Sequence, residues 1–314
     1  MDRSTQPSNK YMATIAKAAI SVALLATIAA QLDFHSFVSH WRRLDQSVMV
    51  TVLALVALQT TVISGMRLKL LLDSIGIQQP LVRTSQVELC GFFFEQVALG
   101  FVGGDAMRLW LLHRTQIPLR DAFKALFFDR CLGFGALLLL VVAGLPGLAK
   151  LVPGLVDRIS SVLLWAAIFA GGAIALIVLL LVLRKYRRHP LLAEVAGLVQ
   201  ASIREPRVRH RLIVVLTLAV VTHLLNVLIF HLVGQNLGLP LSLENWFSFV
   251  PAALLLSMIP VSVGGWGVRE GIFLFGLGTL GVAPENATAA SILFGLGVLV
   301  VTLPGGLVWL LNRK

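Results

Sequence analysis

Charge is what this sequence has least of. Asp, Glu, Lys and Arg make up 13% of its 314 residues, while 57% are hydrophobic and the mean hydropathy is +0.88. A water-soluble domain carries about 25% charged residues, so that class is excluded and a polytopic membrane protein is indicated. Cysteine is nearly absent too: Cys90 and Cys131 are the only two, each inside an apolar stretch. They rule out a disulfide framework or a cysteine-based metal cluster and read as packing residues. The apolar runs are continuous and show no alternation, which excludes barrel strands and leaves an all-α fold. No nucleophile stands beside a base, and no His, Cys or carboxylate group has metal-ligand spacing. The expectation is therefore no catalytic residue, no metal, no cofactor and no enzyme. The glycines at 276, 278 and 281 match a dinucleotide fingerprint by letter, but no strand precedes them.

What is present is a series of runs near the roughly 20 residues needed to cross about 30 Å of hydrocarbon. Residues 11–32, 48–66, 123–145, 161–183, 212–233 and 287–311 read as six full transmembrane helices. The run at 11–32 also resembles a secretory signal, but its length and the spans that follow favour a retained helix. Two shorter segments, 85–101 and 246–259, read as re-entrant, although a plain hydropathy count gives seven to eight crossings. The first carries Glu88, Glu95 and Gln96, with Arg83 before it and Arg108, Arg114 and Arg120 after it. Positive charge at both ends suits a segment that enters and leaves on one face.

The net charge of +11 lies mostly in loops, and eight Arg or Lys residues fall in 184–211. This orients the linker and both termini toward the cytoplasm, with 234–244, free of Lys and Arg, outside. Topology accounts for the charge, so no nucleic-acid partner is implied. The same basic linker can attract anionic lipid headgroups. The chain reads as one integral membrane domain, 1–314, built from pseudo-repeat halves at 11–145 and 161–311 that are joined in part by the linker.

The segment 98–114 is the centre of the sequence. A glycine pair, Gly103-Gly104, interrupts an apolar run and is followed at once by Asp105 and Arg108. The pattern returns 161 residues later, where Val263, Gly264, Gly265 and Arg269 match Val102, Gly103, Gly104 and Arg108. By the charge count the two copies face opposite sides. Either they are chance matches among 27 glycines, or they mark an inverted repeat with interrupted helices, which points to a transport site.

A glycine break exposes amides at a new helix start, where an anion is favoured, and arginines one turn on can fork onto a phosphate. On that reading Gly103, Gly104, Asp105, Arg108 and Arg130 form one substrate cradle, and Gly264, Gly265, Arg269 and Glu270 form the other. The plainer reading is charge neutralisation, Asp105 with Arg108 and Glu270 with Arg130 or Arg269. Asp129 and Arg130 point about 100° apart on a helix and must find separate partners. Glu95 and Asp129 are the candidates for proton coupling. His223, Asn226 and His231 share a span and read as interhelical hydrogen-bonding residues.

Arg67, Gly91, Gly103-Gly104-Asp105 with Arg108, the run AFKALFFDRCLG at 122–133 and PVSVGGWGVRE at 260–270 together resemble the lysylphosphatidylglycerol synthase transmembrane family. The resemblance covers nearly the whole chain. It departs where Glu95-Gln96 and Leu99-Gly100 replace the family's usual Asn and Leu-Pro, and where Phe294 and Gly295 lie near the place of an expected Arg. A soluble aminoacyltransferase domain beyond Lys314 is not expected, so lysyl transfer is not implied. What the resemblance implies is a membrane lipid as substrate and a flippase-like translocase of polar, anionic-headgroup or isoprenoid-linked lipids. A homo-oligomer or a complex with lipid-biosynthesis enzymes is the implied assembly. The competing readings are a membrane-embedded transferase or hydrolase on lipid-linked substrates, and a non-transporting partner in lipid synthesis.

Overall fold

The computed structural model describes residues 45–97, 101–151, 200, 204–258 and 266–311. The expected spans 11–32 and 161–183, Gly264 and Gly265, and most of the linker lie outside the described residues. Within them the chain is all-α, with eight helices and no strand. These are α1 Gln46–Ser74, α2 Leu81–Val97, α3 Phe101–Arg114, α4 Leu119–Leu151, α5 Pro206–Asn236, α6 Leu243–Ser257, α7 Val268–Gly278 and α8 Pro284–Leu311. Four of them, α1, α4, α5 and α8, are long and apolar enough to cross a membrane, and they contain the four expected spans that fall within the described residues. At 17 and 15 residues, α2 and α6 reach only about 25 and 22 Å, short of the hydrocarbon thickness.

Several boundaries differ from the sequence reading. α1 does not stop at Met66 but runs on to Ser74, so Arg67 and Lys69 sit within it. α5 begins at Pro206, which makes the end of the basic linker helical. Proline is favoured there because the first helical N–H has no partner to lose. α7 was not foreseen as a separate helix, since its 11 residues are too few for a span.

Hydrogen bonding sets the local shape. Asp45 caps α1, its carboxylate accepting bonds from the Ser47 hydroxyl and amide at 2.8 Å, and these bonds hold its pKa below the ordinary value. In mid-helix, Leu58–Ile63 widens into a π turn. Thr60 and Thr61 there bond back to the carbonyls of Val56 and Ala57, and Ser64 bonds to that of Gln59. Such side-chain bonds compete with the α ladder, and π turns recur at functional sites. At the other end of α1, Gly76 at φ +83° turns the chain back, and the Ile77 amide closes onto the Leu72 carbonyl at 2.9 Å.

Two apolar cores result. One joins the last turns of α1 to α2, α3 and the start of α4 around Leu68, Leu71, Leu111 and Leu126. The other joins the start of α1 to α5, α6, α7 and α8. Phe230 is its hub, with ring centroids 4.6 Å from Phe273, 4.7 Å from Phe294 and 6.2 Å from Trp246.

The halves are laced together reciprocally. α4 packs on α6, where a Cβ at Gly144 would lie 3.1 Å from the Ser248 Cα. α8 packs on α2, where a Cβ at Gly305 would strike the Leu89 carbonyl. Each long helix thus meets the short helix of the opposite half through a glycine. Gly305 follows Gly144 by 161 residues, the same offset that separates Gly264 from Gly103.

Candidate functional site

α2 carries Glu88, Gly91 and Glu95, which a 3.6-residue turn places on one face. The glycine leaves a notch between the two carboxylates, and Arg108 of α3 fills it. A Cβ at Gly91 would fall on the Arg108 guanidinium. Gly104, one turn before Arg108, lets α3 approach, since a Cβ there would lie 2.8 Å from the Gly91 carbonyl oxygen. The glycine pair is therefore helical and packs α3 onto α2. Both glycines lie in the first turn of α3, and neither has positive φ.

Every nitrogen of Arg108 is committed. Nε donates to Glu88 at 2.9 Å, Nη1 to Asp105 at 2.9 Å and Nη2 to Glu95 at 3.5 Å, while the Phe92 ring lies 4.8 Å below. Asp105 then bridges outward to Arg130 of α4, which donates from Nη2 at 2.6 Å and from Nε at 3.1 Å. On the next residue, Asp129 turns the other way and pairs with Arg67 of α1 at 2.7 Å. The separate partners required by their 100° offset are thus Arg67 and Asp105.

The network runs from interior to rim. Side-chain exposure rises from 0% at Arg108 through 5% at Glu88 and 12% at Glu95 to 27% at Asp105 and 34% at Arg130. Four carboxylates, Glu88, Glu95, Asp105 and Asp129, face three guanidiniums, Arg67, Arg108 and Arg130. Arg108 is the centre of a carboxylate cage, its guanidinium taken up by Glu88, Glu95 and Asp105.

Beyond Asp129 a polar seam continues beside the π turn. His223 of α5 lies with Nε2 3.0 Å from the Gly133 carbonyl oxygen, so Nε2 carries the proton, and Gln59 donates to Asn226 at 3.0 Å. The interhelical role read for His223 and Asn226 holds. Arg67 Nε, His223 Nδ1 and Gln59 Oε1 are buried along this seam and make no hydrogen bond among the described residues.

The second set sits on α7 and is compact. Arg269 Nη2 donates to Glu270 at 2.9 Å, and its Nε to Ser291 at 3.0 Å. Glu270 also accepts from Ser291 at 2.8 Å and from the Gly267 amide at 2.6 Å. Gly267, at φ +87°, caps the helix in a backbone conformation that favours glycine. The Arg269 guanidinium lies 5.2 Å over Trp266 and 5.5 Å from Phe294, and a Cβ at Gly295 would fall on it. Glu270 pairs with Arg269, and the alternative partner Arg130 belongs to the first network. Gly264 and Gly265 lie outside the described residues.

Sequence reasoning did not assign Glu88 and Gly91 to the cage or Ser291 and Gly295 to the second set. The seven-residue spacing of Glu88 and Glu95 around Gly91 was the available signal for the first. Ser291 and Gly295 lie in a long, mostly apolar span, where the departure from the family pattern at Phe294 and Gly295 was the available signal.

A search of the curated proteins returns no match. The description of the lysylphosphatidylglycerol synthase TM region matches residues 14–305, a stretch that contains every residue of both arginine sets. This is a membrane protein linked to lipid metabolism, and with both sets lying inside so long a match, the chain belongs to the lysylphosphatidylglycerol synthase transmembrane family.

Proposed function

We propose that the protein is a flippase-like translocase of a polar-headgroup lipid in a bacterial inner membrane, and not an enzyme. The observation that carries this reading is the graded network from Arg108 to the Asp105–Arg130 rim. Ionisable groups at membrane depth are costly and mark substrate or ion paths. Here they span four helices instead of closing on a single pair. The headgroup engages the half-exposed rim, where a carboxylate and a guanidinium stand side by side, while the tail stays in lipid. Among the described residues the network holds four carboxylates and three arginines, and Glu95 and Asp129 are its proposed proton carriers. Glu95 makes the longest of the Arg108 contacts.

The reciprocal packing of α4 on α6 and α8 on α2 supports a repeat whose halves rock against each other to alternate access. Its glycine offset equals that of the paired motifs. Anionic headgroups at the basic segment and a cytoplasmic placement of both termini complete the reading. Cysteine labelling in intact cells tests the placement: Ser242→Cys reacts from outside and Arg187→Cys does not.

The central test is reconstitution. Proteoliposomes holding a lipid with a fluorescent headgroup are treated with an impermeant quencher. Protein-dependent loss of the protected inner-leaflet signal is expected, and it should fall in Arg130→Gln. Equal protection with and without protein would end the proposal.

A further inference from the structure

Arg67 holds Asp129 by a single nitrogen. Nη2 donates to Asp129 Oδ1 at 2.7 Å and to the Asp129 main-chain oxygen at 3.2 Å, whereas Arg108 spends three nitrogens on three carboxylates. A guanidinium has five N–H donors, and the one on Arg67 Nε is buried and finds no acceptor among the described residues. Two acceptors along the same seam are in the matching condition. His223 Nδ1 is an acceptor because Nε2 carries the proton toward Gly133, and Gln59 keeps Oε1 while its amide nitrogen is spent on Asn226. None of the three atoms has surface open to water. One donor and two acceptors thus stand unjoined where each bears its full desolvation cost. Buried polar groups are ordinarily partnered, so this arrangement suits a side chain with a second position.

The helices bring the set together. In an unbroken α-helix Gln59 and Arg67 would lie about 80° apart around the axis. The wider π turn at Leu58–Ile63 takes up roughly one residue, which returns the two to one face. On α5, His223 lies one turn before Asn226, the partner of Gln59. Gly133 of α4 is the common neighbour: a Cβ there would stand 3.1 Å from Arg67 Nη2, and its carbonyl oxygen takes the His223 bond at 3.0 Å. Glycine puts no side chain between them.

We propose that Arg67 is a two-position gate on Asp129. It pairs with the Asp129 carboxylate in one state; when that carboxylate takes a proton from solvent and becomes the neutral acid, the guanidinium turns to His223 Nδ1 and Gln59 Oε1. Arg67 stays charged and His223 neutral throughout, so the only proton that moves is the one Asp129 binds. The other charged groups near Asp129 are Glu88 from α2, Asp105 and Arg108 from α3, and Arg130 on α4 itself, and these keep their bonds to one another. From α5 comes His223, and the ionisable residue of α6, Glu244, lies in its first turn. The proposal rests on Asp129 as a proton carrier in the translocase reading and adds what governs that proton.

Solid-state NMR of the full chain in liposomes, with 15N-labelled histidine, provides the test. It reads Nδ1 of His223, assigned among the seven histidines by its loss in His223→Asn. At neutral pH the wild type should show an acceptor nitrogen without a hydrogen bond. On acidification the signal should move upfield, as for a nitrogen that accepts a bond, before any imidazolium signal appears. Asp129→Asn has the shape of the protonated acid and should show the shifted signal already at neutral pH. Adding Arg67→Met to it should return the signal to the unbonded position. The acid series needs no substitution, so it decides the matter should Asp129→Asn not fold. A signal that stays in place until imidazolium forms, or that does not shift in folded Asp129→Asn, overturns the gate. A shift that survives Arg67→Met assigns the bond to another donor and overturns it too. Lipid transport is measured on the same liposomes: transport with a static signal sinks the gate alone, and a responding signal without transport sinks the translocase reading alone.

Discussion

The two arginine sets begin from the same sequence pattern and end as different devices. Arg108 sits among three carboxylates from two helices and connects through Asp105 to a rim on a third. Arg269 has one carboxylate, on the neighbouring residue, and both are sealed under Trp266, Phe294 and Ser291. Each guanidinium is received by a glycine, Gly91 or Gly295, with an aromatic beside it in sequence, Phe92 or Phe294. The notch is common to both, but its surroundings differ. A buried charge with several partners can lose one and stay neutralised, while a buried pair cannot. On the translocase reading, the first set is the one that changes state and the second is a fixed joint.

The largest expected effect follows from that asymmetry. Glu270→Ala leaves Arg269 buried without its carboxylate and strips the Gly267 amide of its acceptor. The cost is about 3–5 kcal/mol, enough to abolish the folded protein in detergent extracts. Glu88→Gln should cost about 1–2 kcal/mol, because Arg108 keeps Asp105 and Glu95. Similar losses of folded yield in the two variants would erase the distinction.

Next in size is the effect of shortening the fork. Arg108→Lys retains the charge but cannot reach Glu88, Asp105 and Glu95 together, so lipid transport should fall at least about tenfold while most of the protein stays folded. Arg269→Lys should show the reverse emphasis, with a lowered melting temperature and residual transport in the fraction that folds. Transport at the wild-type level in Arg108→Lys would leave the cage as scaffolding only.

These contrasts also mark what the sequence could reveal. The all-α class and four of the spans were legible because hydropathy and helix length are summed over many residues, and both are governed by the bilayer. The charged positions were legible because each is conspicuous in an apolar run. Their pairing was less so. Arg108 with Asp105 follows from local spacing, but Arg67 with Asp129 and Arg130 with Asp105 join residues 62 and 25 apart. No periodicity encodes such distances. Glycine permits a break at Gly103-Gly104, and the close contact Gly104 makes in the fold is with Gly91, on another helix. The π turn in α1 was hidden because its Thr and Ser residues are also compatible with an ordinary helix.

A smaller effect tests the lacing between halves. A Cβ at Gly305 meets the Leu89 main chain, which cannot move aside alone, so Gly305→Ala should cost about 1–3 kcal/mol as an overpacked contact. At Gly144 the nearest atoms stand at 3.1–3.4 Å. Gly144→Ala then needs only a slight shift, and its cost should be at most about 1 kcal/mol. Thermal melting of the two variants in the same detergent measures the difference. Equal shifts would mean that the two contacts are equally tight.

The smallest effect belongs to the rim. Asp105 and Arg130 are joined by bonds of 2.6 and 3.1 Å, yet the side chains are 27% and 34% exposed. Solvent screens a pair so placed, and Arg130 has further interactions besides Asp105. A double-mutant cycle of Asp105→Asn and Arg130→Gln should therefore give a coupling energy of about 0.2–1 kcal/mol in stability. The same pair should show its weight in transport, where the single changes each lower activity and the double change is no worse than either. Residues that act as one unit lose function once, not twice. A coupling energy near that of a buried pair would place the rim with the Arg269 set as a structural joint. Additive losses in transport would separate Asp105 from Arg130 and remove the shared headgroup contact on which the translocase reading depends.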